Sequence, residues 1–271
     1  MARIVGRLVA LMVPQALPPI RGRRAIVTGA GNGLGRAISH ALAAAGAEVI
    51  AVGRQAAPLQ ETSEEASGPG RITPCVVDVS NEVSLRESGL GTGDLEASIV
   101  INNAGVPGPV ASLIDMSVAD WDEVFAINVR GPFLVLRQTL PSMIGAGFGQ
   151  VINVASVTGK RPLARRTPYA ASKMALIGLT RTLAAEVGPL GIMVNSLSPG
   201  PVRGPRMERN FRMEAAATST TPEEAERAFV SRAALQRLVE ADEVGQAVIA
   251  MLQMPGLCAA DIDLSAGMIA P

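Results

Sequence analysis

Short runs of apolar residues alternate with longer amphipathic segments from residue 22 to the end of the chain. Glycines flank the apolar runs, which is typical of strands buried on both faces, and the segments between them have helical periodicity. The predicted strands cover residues 25–28, 49–52, 72–77, 98–101, 151–154, 192–197 and 262–264. The predicted helices cover residues 34–45, 58–66, 81–88, 119–145, 168–187 and 240–252. This order predicts one α/β domain, a doubly wound parallel sheet of about seven strands with helices on both faces.

Two segments fall outside this alternation. Residues 1–20 contain an apolar run at 8–13 that is too short to span a bilayer, and we expect a loosely ordered extension before a domain at 21–271. Residues 200–236 are rich in proline, arginine and methionine. A short helix is predicted there, because Thr221 is a good N-cap and Pro222 suits the first helical position. No segment approaches transmembrane length, so no membrane partner is expected.

Charge and rare residues narrow the function classes. Lys+Arg and Asp+Glu are balanced at 24 each, with a pI near 6.6, so no nucleic-acid partner is expected. The two cysteines, Cys75 and Cys258, indicate free thiols in a reducing compartment and hence a cytoplasmic protein. His40 is the only histidine, so neither a histidine-based triad nor a clustered metal site is expected.

The only tyrosine of the chain, Tyr169, lies four residues before Lys173 and thirteen residues after Ser156. On a helix, the four-residue spacing puts the phenol and the ammonium on one side, one turn apart. A nearby ammonium stabilises the phenolate, which lets the phenol exchange protons near neutral pH. The pair therefore indicates an acid/base catalyst, although the same spacing also arises by chance with a tyrosine that only caps a helix.

A glycine-rich segment, TGAGNGLG at residues 28–35, follows the first predicted strand and opens the first predicted helix. Glycines let the backbone approach a pyrophosphate, and a helix N-terminus offers unpaired N–H groups and a positive dipole end. The spacing differs from G-x-G-x-x-G, because Leu34 stands where the third glycine would be. We expect this segment to bind a dinucleotide.

The residue at the end of the second strand distinguishes the two nicotinamide dinucleotides. A carboxylate there binds the ribose 2′-hydroxyl of NAD(H), whereas an arginine favours the 2′-phosphate of NADP(H). The sequence has Arg54 and no acidic residue between Glu48 and Glu61. We therefore favour NADP(H) over NAD(H), with the alternative that Arg54 lies over the adenine or points to solvent.

Taken in order, these motifs resemble the compact single-domain branch of the short-chain dehydrogenase/reductase family. The resemblance runs from about Arg23 to the C-terminus. It rests on residues 28–35, Asp78-Val79, Asn102-Asn103-Ala104-Gly105, Asn128, Ser156, Tyr169, Lys173 and Pro199-Gly200. It implies a Rossmann-like sheet and an NAD(P)-dependent oxidoreductase that interconverts a secondary alcohol and a ketone.

The resemblance also implies a role for each matching residue. Tyr169 would be the acid/base, Lys173 would assist it and hold the nicotinamide ribose, and Ser156 would orient the substrate oxygen. Asn128 would hold the water of a proton relay. The residues that would contact the cofactor are Gly29, Asn32, Gly33, Leu34, Gly35, Arg54, Asp78, Val79, Asn102, Ala104, Gly105, Tyr169, Lys173, Pro199, Gly200 and Val202.

Two further expectations come from the family. Gly204 stands where the family usually has a threonine that bonds the nicotinamide carboxamide, which is a departure from the pattern. Family members commonly form dimers or tetramers, so we expect a homotetramer or a homodimer.

The positions of arginines suggest the substrate class. Arg161 lies in the segment that links Ser156 to Tyr169, and Arg203 opens the segment of about 200–236 that would form a lid over the substrate. Because guanidinium groups suit carboxylates and phosphates, we expect a small polar anionic hydroxy or keto compound bound by Arg161 and Arg203. The alternative is that these arginines are solvated, or form ion pairs with Glu208 and Glu214 or with a neighbouring subunit.

Two other functions stay open at this point. One is a reductase of 3-oxoacyl thioesters, whose basic rim would meet an acidic carrier protein instead of a small anion. The other is a non-catalytic nucleotide-binding scaffold. The presence of Asn128, Ser156, Tyr169 and Lys173 argues against the scaffold, because a binding module needs no activated phenol.

Overall fold

A computed structural model describes residues 17–268, which contain a seven-stranded, all-parallel sheet. The strands are β1 (Arg24–Thr28), β2 (Glu48–Gly53), β3 (Arg71–Val76), β4 (Ile99–Asn102), β5 (Gly149–Val154), β6 (Ile192–Pro199) and β7 (Asp261–Leu264). Their order across the sheet is β3-β2-β1-β4-β5-β6-β7. The predicted fold class is confirmed, and each predicted strand overlaps an observed one.

Helices cover both faces of this sheet. Those of the described residues are α1 (Gly33–Ala44), α2 (Ala56–Glu64), α3 (Glu82–Glu87), α4 (Val118–Phe125), α5 (Gly131–Ala146), α6 (Thr167–Val187), α7 (Pro205–Thr218), α8 (Pro222–Val230) and α9 (Ala241–Leu252). On one face, α1 and α9 bury Ile38 and Val248 against the strands. On the other face, α5 and α6 bury Val135 and Ala184. Both faces of the sheet are therefore covered by helices, which explains why the strands are continuous apolar runs.

The strand order reverses beside β1, since β2 lies on one side of it and β4 on the other. At such a point, the loops that leave the carboxyl ends of neighbouring strands diverge and open a crevice. The loop after β1 and the loop after β4 are joined by Thr28, whose hydroxyl accepts hydrogen bonds from the N–H groups of Asn103 and Ala104, both at 3.0 Å. The site residues lie around this crevice.

The helix predicted over residues 119–145 is interrupted. α4 ends at Phe125, a π-helical turn covers Ala126–Arg130, and α5 begins at Gly131. Pro132 accounts for the interruption, because proline has no N–H to donate to the Asn128 carbonyl and its ring crowds that carbonyl. The widened turn holds the buried side chain of Asn128.

Residues 200–236 contain two helices instead of the single predicted one. The predicted helix is α8: the Thr221 hydroxyl accepts from the Glu224 N–H at 3.2 Å, and the Glu224 carboxylate accepts from the Thr221 N–H at 2.9 Å. α7 was not predicted, because polar residues dominate it. Its buried side consists of Met207, Phe211 and Ala215, four residues apart, and packs against α8. The role of this helical pair as a lid stays a prediction.

The predicted N-terminal extension lies largely outside the described residues. Ile20, which the predicted extension includes, is 5 % exposed and belongs to the apolar core. None of the helices within residues 17–268 is long and apolar enough to cross a membrane. Cys75 and Cys258 are both free thiols. No group of His, Cys, Asp or Glu residues suited to hold a metal ion occurs in the described part of the chain.

Candidate active site

A cavity of about 550 Å³ opens at the carboxyl ends of the strands. Most of the residues predicted to form the site line it, and they come from the loops after β1 to β6 and from the first turns of α1 and α6. These residues are Gly29, Asn32, Gly33, Leu34, Gly35, Arg54, Asp78, Val79, Ala104, Gly105, Ser156, Tyr169, Lys173, Pro199, Gly200, Val202 and Arg203. Asn102, Asn128 and Arg161 do not line the cavity.

α1 begins at the cavity wall without a capping side chain. Its N-cap residue, Asn32, has an extended backbone and makes no side-chain cap, and the Arg36 N–H donates to the Asn32 carbonyl at 3.2 Å. The N–H groups of Gly33, Leu34 and Gly35 therefore have no acceptor within the helix. The first turn also has no acidic residue. Unpaired donors at a positive helix end suit an anionic ligand such as a pyrophosphate.

Gly35 is required by a close approach of two backbone segments. A Cβ on Gly35 would lie 2.0 Å from the carbonyl oxygen of Gly29 and 2.6 Å from Nδ2 of Asn103. The Asn103 amide in turn donates to the carbonyls of Thr28, at 2.9 Å, and Gly29, at 3.3 Å. The glycine loop, α1 and the loop after β4 thus meet at one point and fix the floor of the cavity.

Arg54 and Asp78 line the cavity from the ends of β2 and β3. Partial burial acts to raise the pKa of Asp78, but hydrogen bonds from the hydroxyl and N–H of Ser80, with the charges of Arg54 and Arg130, hold that pKa below its usual value. Asp78 is therefore ionised at neutral pH and able to accept a hydrogen bond from a ligand amine. Arg54 is exposed, and its guanidinium is available to an anionic group.

Tyr169 and Lys173 project from the first turns of α6 and line the same part of the cavity. Lys173 Nζ lies 5.8 Å from the centroid of the Tyr169 ring. Lys173 is only 4 % exposed, and its Nζ donates to the Val154 carbonyl at 2.8 Å. A buried ammonium requires such partners, because removing it from water is costly.

Ser156 is the second residue after β5 and is 8 % exposed. Its Oγ accepts a hydrogen bond from the Thr158 N–H at 3.1 Å and caps the 3₁₀ turn Val157–Gly159. Because the oxygen already accepts from the backbone, the hydroxyl proton is left to be donated to a ligand oxygen in the cavity. Ser156, Tyr169 and Lys173 are thus brought together, as the sequence predicts.

Asn128 lies behind the cavity wall. Its side chain accepts from the Val106 N–H at 2.8 Å and donates to the Val106 carbonyl and to the Ser172 hydroxyl, each at 3.0 Å. A Cβ on Gly105 would lie 3.2 Å from Asn128 Oδ1 and 3.5 Å from Lys173 Nζ, so the glycine lets the cavity wall approach both groups. The Asn128 side chain therefore supports the wall from behind.

Asn102 is also absent from the cavity wall. It is 2 % exposed, and its amide donates to Oδ1 of Asn153 at 2.9 Å, which joins β4 to β5. Asn103 lines the cavity in its place. Successive side chains of a strand point to opposite sides, so a shift of one residue exchanges a wall position for a core position. The predicted set also lacked cavity residues such as Gln55, Pro58 and Pro107, which no motif marks.

The two arginines predicted to bind substrate have other contacts. Arg161 is exposed outside the cavity, and its Nη1 lies 3.5 Å from the Met268 carbonyl. Arg203 lines the cavity, but it donates to Glu226 at 2.8 Å and to Glu240 at 2.9 Å. Hydrogen bonds to these two carboxylates raise the pKa of Arg203. Arg203 is therefore ion-paired, but with Glu226 and Glu240 instead of the expected Glu208 and Glu214, and its charge is already balanced within the chain.

The comparison with known proteins agrees with this geometry. The family model of the short chain dehydrogenases matches residues 23–216. The 3-oxoacyl-acyl-carrier-protein reductase of Thermotoga maritima is 33 % identical over 237 residues, which are 85 % of this chain and 90 % of the relative. The levodione reductase of Leifsonia aquatica is 34 % identical over 235 residues, which are 85 % of this chain and 86 % of the relative.

The fold also matches solved structures. The L-sorbose reductase of Gluconobacter frateurii superposes with a TM-score of 0.86 over 93 % of this chain and 98 % of that one; at 24 % identity, this similarity concerns the fold alone. The family match and the two relatives show that the chain belongs to the short-chain dehydrogenase/reductase family. It is therefore an oxidoreductase that acts on CH–OH groups.

Gly35→Ala tests the close approach at the floor of the cavity. The new methyl group would force the Gly29 backbone to move, so we expect the Tm to fall by about 3–10 °C, as for an overpacked site of about 1–3 kcal/mol. Gly178→Ala is the matched control, because a Cβ on this exposed glycine of α6 meets no atom within 4 Å. Thermal unfolding followed by circular dichroism measures both. A Gly35→Ala protein with the Tm of the wild type would refute the contact.

Proposed function

We propose that the protein is an NADP(H)-dependent oxidoreductase that interconverts a ketone and a secondary alcohol, with Tyr169 as the acid/base. The observation that carries this proposal is the buried Lys173 ammonium, which lies one helical turn from Tyr169 at a cavity that Ser156 also lines. The cost of burying an ammonium makes this arrangement unsuited to a purely structural tyrosine.

Each of the three groups has a distinct task in the proposed reaction. The Tyr169 hydroxyl gives a proton to the carbonyl oxygen during reduction and takes it back from the alcohol during oxidation. Lys173 stabilises the phenolate that remains when the proton has left. The Ser156 hydroxyl, whose oxygen is held by the Thr158 N–H, donates to the same substrate oxygen and orients it.

The predicted water relay requires a group of Asn128 that is free to hold the water. The Asn128 side chain already makes three hydrogen bonds, to both backbone groups of Val106 and to Ser172. Pro132 removes the N–H that would bond the Asn128 carbonyl in a regular helix. We therefore propose that the backbone carbonyl of Asn128, and not its amide, holds the water that returns a proton toward Lys173.

The residues of the cavity fit a nicotinamide dinucleotide. The N–H groups of Gly33 to Gly35 would hold the pyrophosphate, Asp78 would accept from the adenine, and Arg54 would bind a 2′-phosphate. Lys173 would donate to the nicotinamide ribose. When bound, the cofactor supplies or accepts the hydride of the reaction. The absence of a carboxylate at residues 49–60 is what favours NADP(H) over NAD(H).

For the substrate, we propose a 3-oxoacyl thioester or a related neutral ketone in preference to a small anion. Arg161 lies outside the cavity, and the charge of Arg203 is balanced by Glu226 and Glu240. An anionic substrate would therefore gain little from either guanidinium. The similarity to the 3-oxoacyl-acyl-carrier-protein reductase of Thermotoga maritima supports the thioester.

Tyr169→Phe tests the proposed function with acetoacetyl thioester and NADPH. Removing the acid/base should lower kcat by about 10²–10⁴-fold, because the proton then has no donor of matched geometry. The Kd of NADPH, measured by fluorescence titration, should change by less than about twofold. Turnover is followed by the nicotinamide absorbance.

Free acetoacetate serves as the matched anionic substrate, because it carries the same ketone. The wild type should reduce the thioester with the higher kcat/KM. Turnover confined to acetoacetate would reject the neutral substrate class. A Tyr169→Phe enzyme as active as the wild type would reject the catalytic assignment.

Arg54→Ala tests the cofactor preference. A charge-assisted hydrogen bond contributes about 1.5–3 kcal/mol, so the Kd of NADPH should rise by about 10–100-fold while that of NADH changes by less than about twofold. Arg71→Ala is the matched control, since Arg71 lies at the opposite end of the neighbouring strand, pairs with Glu48 and carries the same charge. Equal changes for NADPH and NADH in Arg54→Ala would contradict the preference.

A further inference from the structure

The turn that follows Ser156 is held by its own backbone. The Gly159 N–H donates to the Ser156 carbonyl at 2.9 Å, and the N–H groups of Lys160 and Arg161 donate to the Val157 carbonyl at 3.0 and 2.8 Å. Lys160 is therefore the residue at which this turn ends. A displacement of Lys160 would therefore also displace Ser156, because one hydrogen-bonded turn links the two residues.

The side chain of Lys160 leaves the turn and contacts the C-terminal strand. Its Nζ lies 2.7 Å from Oδ2 of Asp261 and also contacts Oδ1 of Asp263 on β7. Although partial burial acts to lower the pKa of Lys160, its hydrogen bonds to both carboxylates raise it, so the ammonium is charged at neutral pH. The contact joins residues about a hundred positions apart in the chain.

Asp261 is a fixed partner and not a mobile surface carboxylate. Its side chain is 4 % exposed, and its Oδ1 accepts from the hydroxyls of Ser196, at 2.7 Å, and Ser198, at 2.8 Å. Both serines are fully buried in β6. Exposed ion pairs contribute little to stability, because their side chains are free to move. Here the carboxylate is already held in place, since it belongs to β7 and accepts from two serines of β6.

The other side of the turn is closed by the catalytic helix. A Cβ on Gly159 would lie 3.0 Å from the backbone carbon of Lys173 and from the backbone nitrogen of Met174. The turn thus lies between α6, which carries Lys173, and the Asp261 carboxylate, which holds Lys160. The turn therefore has contacts on both sides, with α6 through Gly159 and with β7 through Lys160.

From this geometry we propose that Lys160 is a positioning residue, which holds the Ser156 hydroxyl in register with Tyr169 by anchoring the turn Ser156–Lys160 to Asp261 and Asp263 of β7. This proposal rests on the proposed function, since it assigns Lys160 an effect on the substrate-orienting role of Ser156. Lys160 does not line the cavity, so its effect is exerted through Ser156 and not by contact with a ligand.

Lys160→Met and Lys160→Arg test the proposal. The Met variant keeps the length of the side chain and removes the anchor, so kcat with acetoacetyl thioester should fall by about tenfold or more, as expected when a catalytic group is displaced. The Kd of NADPH should stay within about twofold of the wild-type value. Lys160→Arg keeps the charge and should restore kcat to within about threefold. Arg137→Met, which breaks the exposed pair with Glu82, is the matched control and should leave kcat unchanged.

A double-mutant cycle distinguishes positioning from general destabilisation. If Lys160 acts through Ser156, then Lys160→Met should lower the residual kcat of a Ser156→Ala enzyme by less than about twofold. Asp263→Asn is the second variant. It removes one partner of Lys160 without leaving a buried charge, so it should fold and still lower kcat by about two- to threefold in the wild type only.

Two results would overturn the proposal. One is unchanged kcat in both Lys160→Met and Asp263→Asn, or in Asp263→Asn alone if Lys160→Met does not fold. The other is an equal loss of kcat in the wild-type and Ser156→Ala backgrounds. The proposed function fails separately, because it requires turnover by the wild type and its loss in Tyr169→Phe, whatever the Lys160 variants do.

Discussion

The hydrogen bond from the buried Lys173 ammonium to the Val154 carbonyl is the interaction on which the site depends. It joins the first turns of α6 to the carboxyl end of β5, so it fixes the helix that carries Tyr169 relative to the strand that leads into Ser156. A charge buried to this extent requires an ordered acceptor, which the Val154 carbonyl supplies. Gly105 lets the cavity wall approach this arrangement closely, because a Cβ there would crowd Asn128 Oδ1 at 3.2 Å and contact Lys173 Nζ at 3.5 Å.

The sheet explains why these groups meet. All strands in residues 17–268 run parallel, so their carboxyl ends share one edge, and residues that follow them in sequence collect there. The same edge holds the glycine loop at one end and the Tyr169 helix at the other, with the cavity between them. The N–H groups proposed to bind an anion and the proposed acid/base pair are thus separated by the length of one cavity, which suits a cofactor with a phosphate end and a reactive end.

The sequence predicted the strands, the parallel sheet and most of the cavity residues, because these depend on local periodicity and on motifs at strand ends. It did not predict α7, whose buried side of Met207, Phe211 and Ala215 is hidden among polar residues. The sequence analysis also assigned Asn102 to the cavity, whereas the structure places Asn103 there. A shift of one residue along a strand decides which side chain faces the cavity. The sequence could not predict the ion pairs of Arg203 with Glu226 and Glu240, because these contacts depend on how distant segments fold together.

The most direct measurement is the fate of the hydride. The protein is incubated with acetoacetyl thioester and NADPH that carries deuterium at both C4 positions, and the product is examined by mass spectrometry. Hydride transfer with Tyr169 as the acid/base predicts a 3-hydroxyacyl product with one deuterium on the former carbonyl carbon, formed about 10²–10⁴-fold more slowly by Tyr169→Phe than by the wild type. Absence of the product, or a product without deuterium, would contradict the account.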